Sequence, residues 1–297
     1  MKRVLSIIDN DAYIKNNCFQ HQLQIAFDRY AQHSTVSLAG LSMPKGYDVI
    51  VSRLKLRTLF QQVDLVASKI KKTPIVVYDQ DPWESFHDES PYKGAYDLIA
   101  SRLNVITFAT TSAWWVDLIS SKGIPATFVR MWMLPEYCQS SISLEKRTNI
   151  GFIGTLHPRR KKLIDELAKR NINVNVVPGN LDYQSFLQKL ETLKVFIHNE
   201  NQPYTVDCMP ANIGTGLWVK DIEAAARGCY SVRDNQHGAL SYHIDQIGSI
   251  KLYDTFDDIE HILRAIDPIN SSRAIELIQD LNCWKETVET IIETPGV

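Results

Sequence analysis

The stretch NIGFIGTLHPRRKK, residues 149–162, decides how the rest of the chain reads. An apolar run ends in a glycine-containing turn, a polar loop follows, and the cations Arg159, Arg160, Lys161 and Lys162 open a segment in which Leu163, Ile164 and Leu167 recur at helical spacing. The pattern predicts strand, turn and helix. Gly151 and Gly154 let backbone amides approach an anion, Thr155 follows in the turn, and the helix start adds its dipole to the charges of Arg159, Arg160 and Lys161. A phosphate or diphosphate is the group such a turn holds. The plainer alternative is a solvated helix start beside an ordinary turn. Position favours the first, because the unit falls at mid-chain, where a second βα domain would begin.

Working outward, the same alternation runs in both directions. Short β-branched runs at 4–8, 49–51, 75–78 and 105–108 read as strands buried on both faces, and helical spacing over 12–30, 54–71 and 112–122 lies between them. An α/β fold with a parallel sheet follows. Residues 132–146 hold Pro135, several serines and no sustained apolar period, which predicts a connection between domains. Beyond it come strand 150–153, helix 159–170, strand 174–177, helix 183–190, strand 195–198, helix 217–227, strand 229–232 and helical stretches at 257–266 and 272–292. The expected division is 1–140 for a first Rossmann-like domain, 147–270 for a second, and 271–297 for a C-terminal helix packing back on the first.

Length and composition agree with this. The 297 residues exceed an ordinary single domain, and 44% hydrophobic with 22% charged residues is usual for a folded globular chain. A formal net charge of −2 supplies no general attraction to nucleic acid or anionic lipid, so no nucleic-acid partner is expected and any basic site must be local. Cys18, Cys138, Cys208, Cys229 and Cys283 are scattered without CxxC spacing and read as reduced thiols of a cytoplasmic protein. The first apolar run is too short for a signal peptide or membrane span.

Between the strand at 195–198 and the helix at 217–227 lies a long loop, residues 199–216. In open α/β sheets ligands bind beyond the carboxyl ends of strands, and loops of this length are usually functional. Pro210, Asn212, Gly214, Thr215 and Gly216 form a second candidate amide-lined anion site. Lys220 and Glu223 follow on the helix, and Gly228 fits its C-cap. His157 and His198 flank the two candidate turns. The alternative for either is a hydrogen-bonded structural role.

At this point a resemblance emerges. The segment Glu223-Ala224-Ala225-Ala226-Arg227-Gly228-Cys229-Tyr230-Ser231-Val232 resembles the E-A-x-A-x-G-x-x-V segment of GT-B glycosyltransferases of the sucrose-synthase-like, group one kind. It is also similar to the spore-maturation glycosyltransferase-like family, whose second domain opens with a comparable G-F-I-G-T and an Arg-rich helix. The likeness covers residues 149–232. It implies two Rossmann-like domains facing across a cleft, a nucleotide-sugar donor held by the second, and a ribose contact at Glu223. Thr215 stands where the family has an earlier Glu, so the corresponding donor-sugar contact is absent and the stereochemical outcome stays open. The alternative for Glu223 is an exposed carboxylate paired with Arg227.

Glycosyl transfer requires an acceptor hydroxyl to be positioned and deprotonated, and the leaving diphosphate to be neutralised. Gly154, Thr155, Arg159, Arg160, Lys161, His198, Asn212, Gly214, Thr215, Gly216, Lys220 and Glu223 form the expected donor set. Asp81 and His87 are the leading base candidates, with Asp9 behind them. Each has a structural alternative as cap or turn residue. Trp83, in the polar segment DQDPWESFHD, is the candidate acceptor contact. Asp79-Gln80-Asp81 and Asp9-Asn10-Asp11 both match the D-x-D by which GT-A enzymes hold a metal, but so short a pattern recurs by chance, and the metal-free reading ranks first.

The expectation is a metal-independent transferase without cofactor, moving sugar to a glycan, lipid-linked glycan or other hydroxyl acceptor, as in polysaccharide biosynthesis. A non-catalytic nucleotide- or sugar-binding protein on the same scaffold is the alternative. The apolar stretches 113–116 and 131–134 make peripheral membrane contact a further expectation, against a core role. A dinucleotide-dependent oxidoreductase is disfavoured because no GxGxxG follows the first strand.

Overall fold

The computed structural model describes residues 2–16, 18–130, 132–138, 147, 149–179, 181–199, 219–234, 247–266, 270–281 and 283–293. Within them the strands are β1 (Arg3–Ile8), β2 (Gln32–Ser37), β3 (Val49–Ser52), β4 (Ile75–Tyr78), β5 (Val105–Thr110), β6 (Ala126–Phe128), β7 (Asn149–Ile153), β8 (Asn175–Val177), β9 (Leu193–His198), β10 (Tyr230–Asp234) and β11 (Ile250–Tyr253). They form two sheets, ordered β2-β1-β3-β4-β5-β6 and β11-β10-β9-β7-β8, with every pairing parallel. Parallel neighbours need crossovers, and helices supply them, covering the faces and burying runs such as VIVS of β3 and IVVY of β4 completely.

The chain divides into two compact units, one containing Met1–Met131 and Cys283–Val297, the other Trp132–Pro203 and Leu217–Asn282. In the first, Ile7, Ile50, Val77 and Phe108 of the sheet pack with Leu59, Val66 and Ile70 of the helices Leu56–Gln61 and Val63–Ile70. The helix Trp284–Glu293 packs on the helix Cys18–Tyr30, and Lys2 Nζ donates to the Ile292 carbonyl at 3.1 Å. In the second unit, Phe152, Val195, Ile197 and Val232 pack with Leu163 and Leu167, the i,i+4 pair of the helix Pro158–Lys169.

Several expectations change in detail. The helical pattern over 54–71 is two helices, and that over 272–292 is two as well, Asn270–Asp280 and Trp284–Glu293. Of the stretches considered for membrane contact, Trp132, Met133 and Leu134 are buried, and in 113–116 Trp115 is fully buried and stacks on Phe86 at 5.5 Å while Ala113, Trp114 and Val116 are partly buried. Met131 lies outside the described residues. Among the described residues no helix is long and apolar enough to cross a membrane.

Candidate functional site

In a parallel sheet the crevice for ligands opens where the chain, having run to one side of its first strand, starts to run to the other. In the second sheet β7 leads to β8 on one side and to β9, β10 and β11 on the other, so the switch point lies beyond the carboxyl ends of β7 and β9. In the first sheet the equivalent place lies beyond β1 and β3.

The turn after β7 is held by three devices. Gly154 takes φ +156°, a backbone conformation that side chains disfavour, and its N–H donates to the Val177 carbonyl at 3.0 Å. Gly179, after β8, lies so close that a Cβ there would meet Gly154 Cα at 2.7 Å and Thr155 N at 3.0 Å. Arg160 then clamps the turn to the end of β9: Nη1 donates to the Thr155 carbonyl at 3.1 Å, while Nε and Nη2 donate to the Asn199 carbonyl at 3.3 and 3.2 Å. Its guanidinium also lies 5.5 Å from the Phe152 ring centroid. Arg160 therefore ties the two strand ends that bound the switch point. Gly151 works differently from the expectation. It sits within β7, and its missing Cβ makes room for the Leu193 side chain, whose Cδ2 would lie 2.6 Å from that atom.

Pro158 opens the helix, and His157 before it forms no side-chain cap. Arg159 is in the first turn, with its side chain outside the described part, and Lys161 is exposed. A helix start without a capping side chain, next to exposed cations, suits an anion. Replacing Gly179 by alanine sets a Cβ against backbone that cannot rotate away. We expect Gly179→Ala to cost about 1–3 kcal/mol in urea unfolding, the usual penalty of overpacking. An unchanged midpoint would show that the turn does not depend on this close approach.

At the end of β9, His198 is buried with Nδ1 3.1 Å from Asp221 Oδ1, on the helix Val219–Ala226. Asp221 also accepts from Ser231 Oγ at 2.6 Å and from Arg233 Nη1 at 2.8 Å. Burial alone would raise its carboxyl, but the charges of His198 and Arg233, with hydrogen bonds from His198 and Ser231, hold it down at about 2. None of Asp221, Ser231 and Arg233 is among the candidate site residues expected from the sequence. Their signal is positional: Ser231 and Arg233 alternate on one face of β10, and a charge inside a buried strand must find a partner. Glu223 is fully buried on the same helix, not exposed on its surface, and Arg227 pairs with Glu191 at 2.9 Å. Lys220 Nζ lies 5.8 Å from the Phe186 ring centroid. Asn212, Gly214, Thr215 and Gly216 lie outside the described residues.

In the first unit, Asp9 Oδ2 accepts from the Lys55 N–H at 3.0 Å and so spans the first switch point. Arg53, buried at the end of β3, donates through Nε to Gln20 at 2.8 Å and through Nη1 to Gln24 at 2.7 Å. His87 caps the helix Trp83–Phe86, and its Nδ1 accepts from the Glu89 N–H at 3.1 Å. That bond engages the ring in the turn.

The carboxylates after β4 form the remaining cluster. Asp79 accepts from Tyr96 Oη at 2.8 Å and from the Asp81 N–H at 3.0 Å, an Asx-type turn. Burial first, and then the Asp81 charge, push its carboxyl up to about 7. Asp81 is less enclosed, and Trp83 Nε1 donates to it at 3.4 Å. Burial raises its carboxyl too, against the Trp83 hydrogen bond and the charges of Arg57 and Lys55. Both oxygens of Asp79 are thus engaged within the protein, and the D-x-D pair does not present two open carboxylates. Among the described residues no group of three metal-ligating side chains comes together. Cys138 and Cys229 are pushed up to about 12 and Cys283 to about 11 by burial, so these thiols stay protonated.

A carboxyl raised in the folded state gives stability that is fully present below its unfolded pKa and is lost as pH rises through the folded one. For Asp79 the window runs from about pH 4 to about 7. The stability of Asp79→Asn relative to the unmodified chain should therefore rise by about 2–4 kcal/mol across that window, at ~1.4 kcal/mol per pH unit. Urea unfolding at a series of pH values checks this, and parallel curves would contradict it.

No protein-family model matches the chain, and no curated protein matches it. Solved structures do. An α-glucosyltransferase in complex with UDP and a 13-mer DNA containing a HMU base is 11% identical, with a TM-score of 0.60 over 98% of this chain and 99% of that one. An α-glucosyltransferase in complex with UDP-glucose and DNA containing an abasic site has the same identity, TM-score and coverage. The DNA-modifying enzyme β-glucosyltransferase, solved with and without uridine diphosphoglucose, is 11% identical with a TM-score of 0.55 over 98% of this chain and 99% of that one. The chain has their α/β fold, of the GT-B class, with two parallel-stranded sheets.

These neighbours overturn one expectation. A chain with no nucleic-acid partner and a carbohydrate acceptor was expected from the net charge and the family resemblance, with polysaccharide biosynthesis as the setting. The neighbours instead bind DNA together with UDP or UDP-glucose. The physical reason is that a net charge of −2 averages over the whole surface and does not report local basic patches. The particular family named from the sequence, group one or spore-maturation, is not confirmed by these neighbours.

Proposed function

We propose that this chain transfers a sugar from a uridine-diphosphate donor to a hydroxyl carried by a nucleic acid. The observation that supports it is the architectural match over nearly the whole chain to glucosyltransferases solved with UDP or UDP-glucose, at TM-scores of 0.55 to 0.60. The second sheet adds chemistry suited to a diphosphate, with a glycine-tight turn, an N-terminal helix end without side-chain cap, and Arg160 bracing both strand ends at the switch point.

In this reading Gly154, Thr155, Arg159 and Lys161 neutralise the leaving diphosphate without a metal, Arg160 and His198 keep the strand ends in place, and Lys220 and Glu223 lie toward the nucleoside. Asn212, Gly214, Thr215 and Gly216 complete the donor set. Asp81 takes the proton of the acceptor hydroxyl, and Trp83 stacks on the acceptor. A base works only when ionised, so activity falls as pH drops through the Asp81 pKa, which burial places above the ordinary carboxylate range. Unmodified DNA bases carry no hydroxyl, so a base within a DNA strand serves as acceptor only when it is hydroxylated.

Calorimetric titration with UDP, UDP-glucose and the corresponding guanosine and adenosine diphosphates tests the donor half. Binding of UDP and UDP-glucose above the others is the expected result. Failure of every nucleotide to bind would overturn the reading. Binding of UDP-glucose with no turnover on any hydroxylated DNA would favour a non-catalytic binding protein.

A further inference from the structure

We infer that the Asn199 side chain is a specificity-determining contact for the nucleotide-sugar donor, its buried amide oxygen accepting a hydrogen bond from a hydroxyl or imide N–H of that ligand. The inference rests on the function proposed above and adds a residue to it.

Asn199 directly follows β9, at one edge of the second switch point. It is only 3% exposed, and its Oδ1 meets no hydrogen-bond donor. Buried acceptors in folded proteins are nearly always paired, because an unmade bond leaves the full cost of desolvation. The backbone around this one is fixed. β9 is in register with β10, and Arg160 holds the Asn199 carbonyl with two N–H groups. His198 beside it is held by Asp221. An atom left unsatisfied on so rigid a base is a place where a site stays incomplete until its ligand arrives.

The chemistry of the missing partner follows from the atom. An amide oxygen repels phosphate oxygens, since both are acceptors. It therefore does not bind the diphosphate. It recognises a donor group near the diphosphate, a ribose hydroxyl, a hydroxyl of the transferred sugar, or the N3–H of uracil. Ser52, Thr110, Ser112 and Ser249 also have buried hydroxyl oxygens without partners. None of these follows β7 or β9, the strands that bound the second switch point.

The test is calorimetry on the full chain and on Asn199→Leu, a change that keeps the branched heavy-atom skeleton and removes the polar group. The ligands are UDP, 2′-deoxy-UDP, 3′-deoxy-UDP, N3-methyl-UDP and UDP-glucose. We expect Asn199→Leu to weaken UDP-glucose by roughly tenfold to a hundredfold, the size of an unmade buried hydrogen bond. Its melting temperature without ligand should not fall, because no orphaned acceptor remains. One analogue should bind the unmodified chain as weakly as the variant binds the parent ligand, and lose nothing further in the variant. That analogue identifies ribose or base, whereas weakening of UDP-glucose with UDP unaffected identifies the transferred sugar.

Equal affinities in both proteins overturn the inference, as does uniform weakening that no analogue reproduces, which is how a merely structural residue behaves. If Asn199→Leu does not fold, the side-chain amide resonance of Asn199 in the unmodified chain decides: a shift on saturation with UDP-glucose supports the contact, and an unmoved signal overturns it. Loss of all nucleotide binding by the unmodified chain sinks the proposed function, whereas binding with Asn199 uninvolved sinks this inference alone.

Discussion

Asp221→Ala should lower the free energy of unfolding by about 3–5 kcal/mol at neutral pH, the cost of removing one partner from a buried ion pair. The side chains of Asp221 and Arg233 are both fully buried, 2.8 Å apart, so the variant strands a guanidinium in the interior along with the His198 and Ser231 groups that the carboxylate now satisfies. The pH dependence carries an independent signature. A carboxyl lowered in the folded state gives stability that is present above its unfolded pKa and lost as pH falls through the folded one. For Asp221 that window runs from about pH 4 down to about 2. The unmodified chain should lose more stability there than the variant, which keeps the other lowered carboxyls but has no Asp221 carboxylate to protonate. Urea unfolding at neutral and acid pH measures both, and a loss below about 1 kcal/mol at neutral pH would mean that Arg233 finds other partners without strain.

Asp81→Asn should lower kcat by about a hundredfold to ten-thousandfold, the range that general-base removal produces. Affinity for UDP should stay unchanged, because Gly154, Thr155, Arg159 and Lys161, the groups proposed to neutralise the diphosphate, belong to the other unit. Geometry separates Asp81 from its rivals. Asp9 has an oxygen engaged by the Lys55 amide, His87 has Nδ1 engaged by the Glu89 amide, and Asp79 has both oxygens engaged. Asp81 holds one long bond to the Trp83 indole, weak enough to yield to a substrate hydroxyl. Steady-state kinetics on UDP-glucose and hydroxylated DNA check this. An Asp81→Asn enzyme within threefold of the unmodified rate would transfer the role to another group.

How far the sequence reveals the fold depends on where each strand sits. β3, β4 and β5 are central or covered on both faces, and their β-branched runs mark them at once. β2, QHSTVS, is an edge strand with no fully buried residue, so its composition reads as loop. β6 is three residues at the other edge, too short for a pattern. β11 carries Lys251 within four residues, which masks it in the same way.

The candidate site divides similarly. The turn at Gly154 and the cations after it are local in sequence, and they show themselves. Gly179 is legible only once β7 and β8 pair, since its role is to admit the Gly154 backbone across that pairing. The Asp221, Ser231 and Arg233 cluster needs the register of β10 against the preceding helix, and in the sequence Arg233-Asp234 looks like solvated charge. Asn199 opens the long loop after β9 that the sequence marks as functional, but nothing in its residue type distinguishes it from its neighbours there. Only its burial without a partner marks it.

Incubation of the chain with UDP-glucose labelled in the sugar and with duplex DNA carrying a hydroxymethylated pyrimidine tests the central claim most directly. The account predicts label in the DNA in step with released UDP, and none when the base lacks the hydroxyl. UDP-glucose recovered intact, with unlabelled DNA, would contradict it.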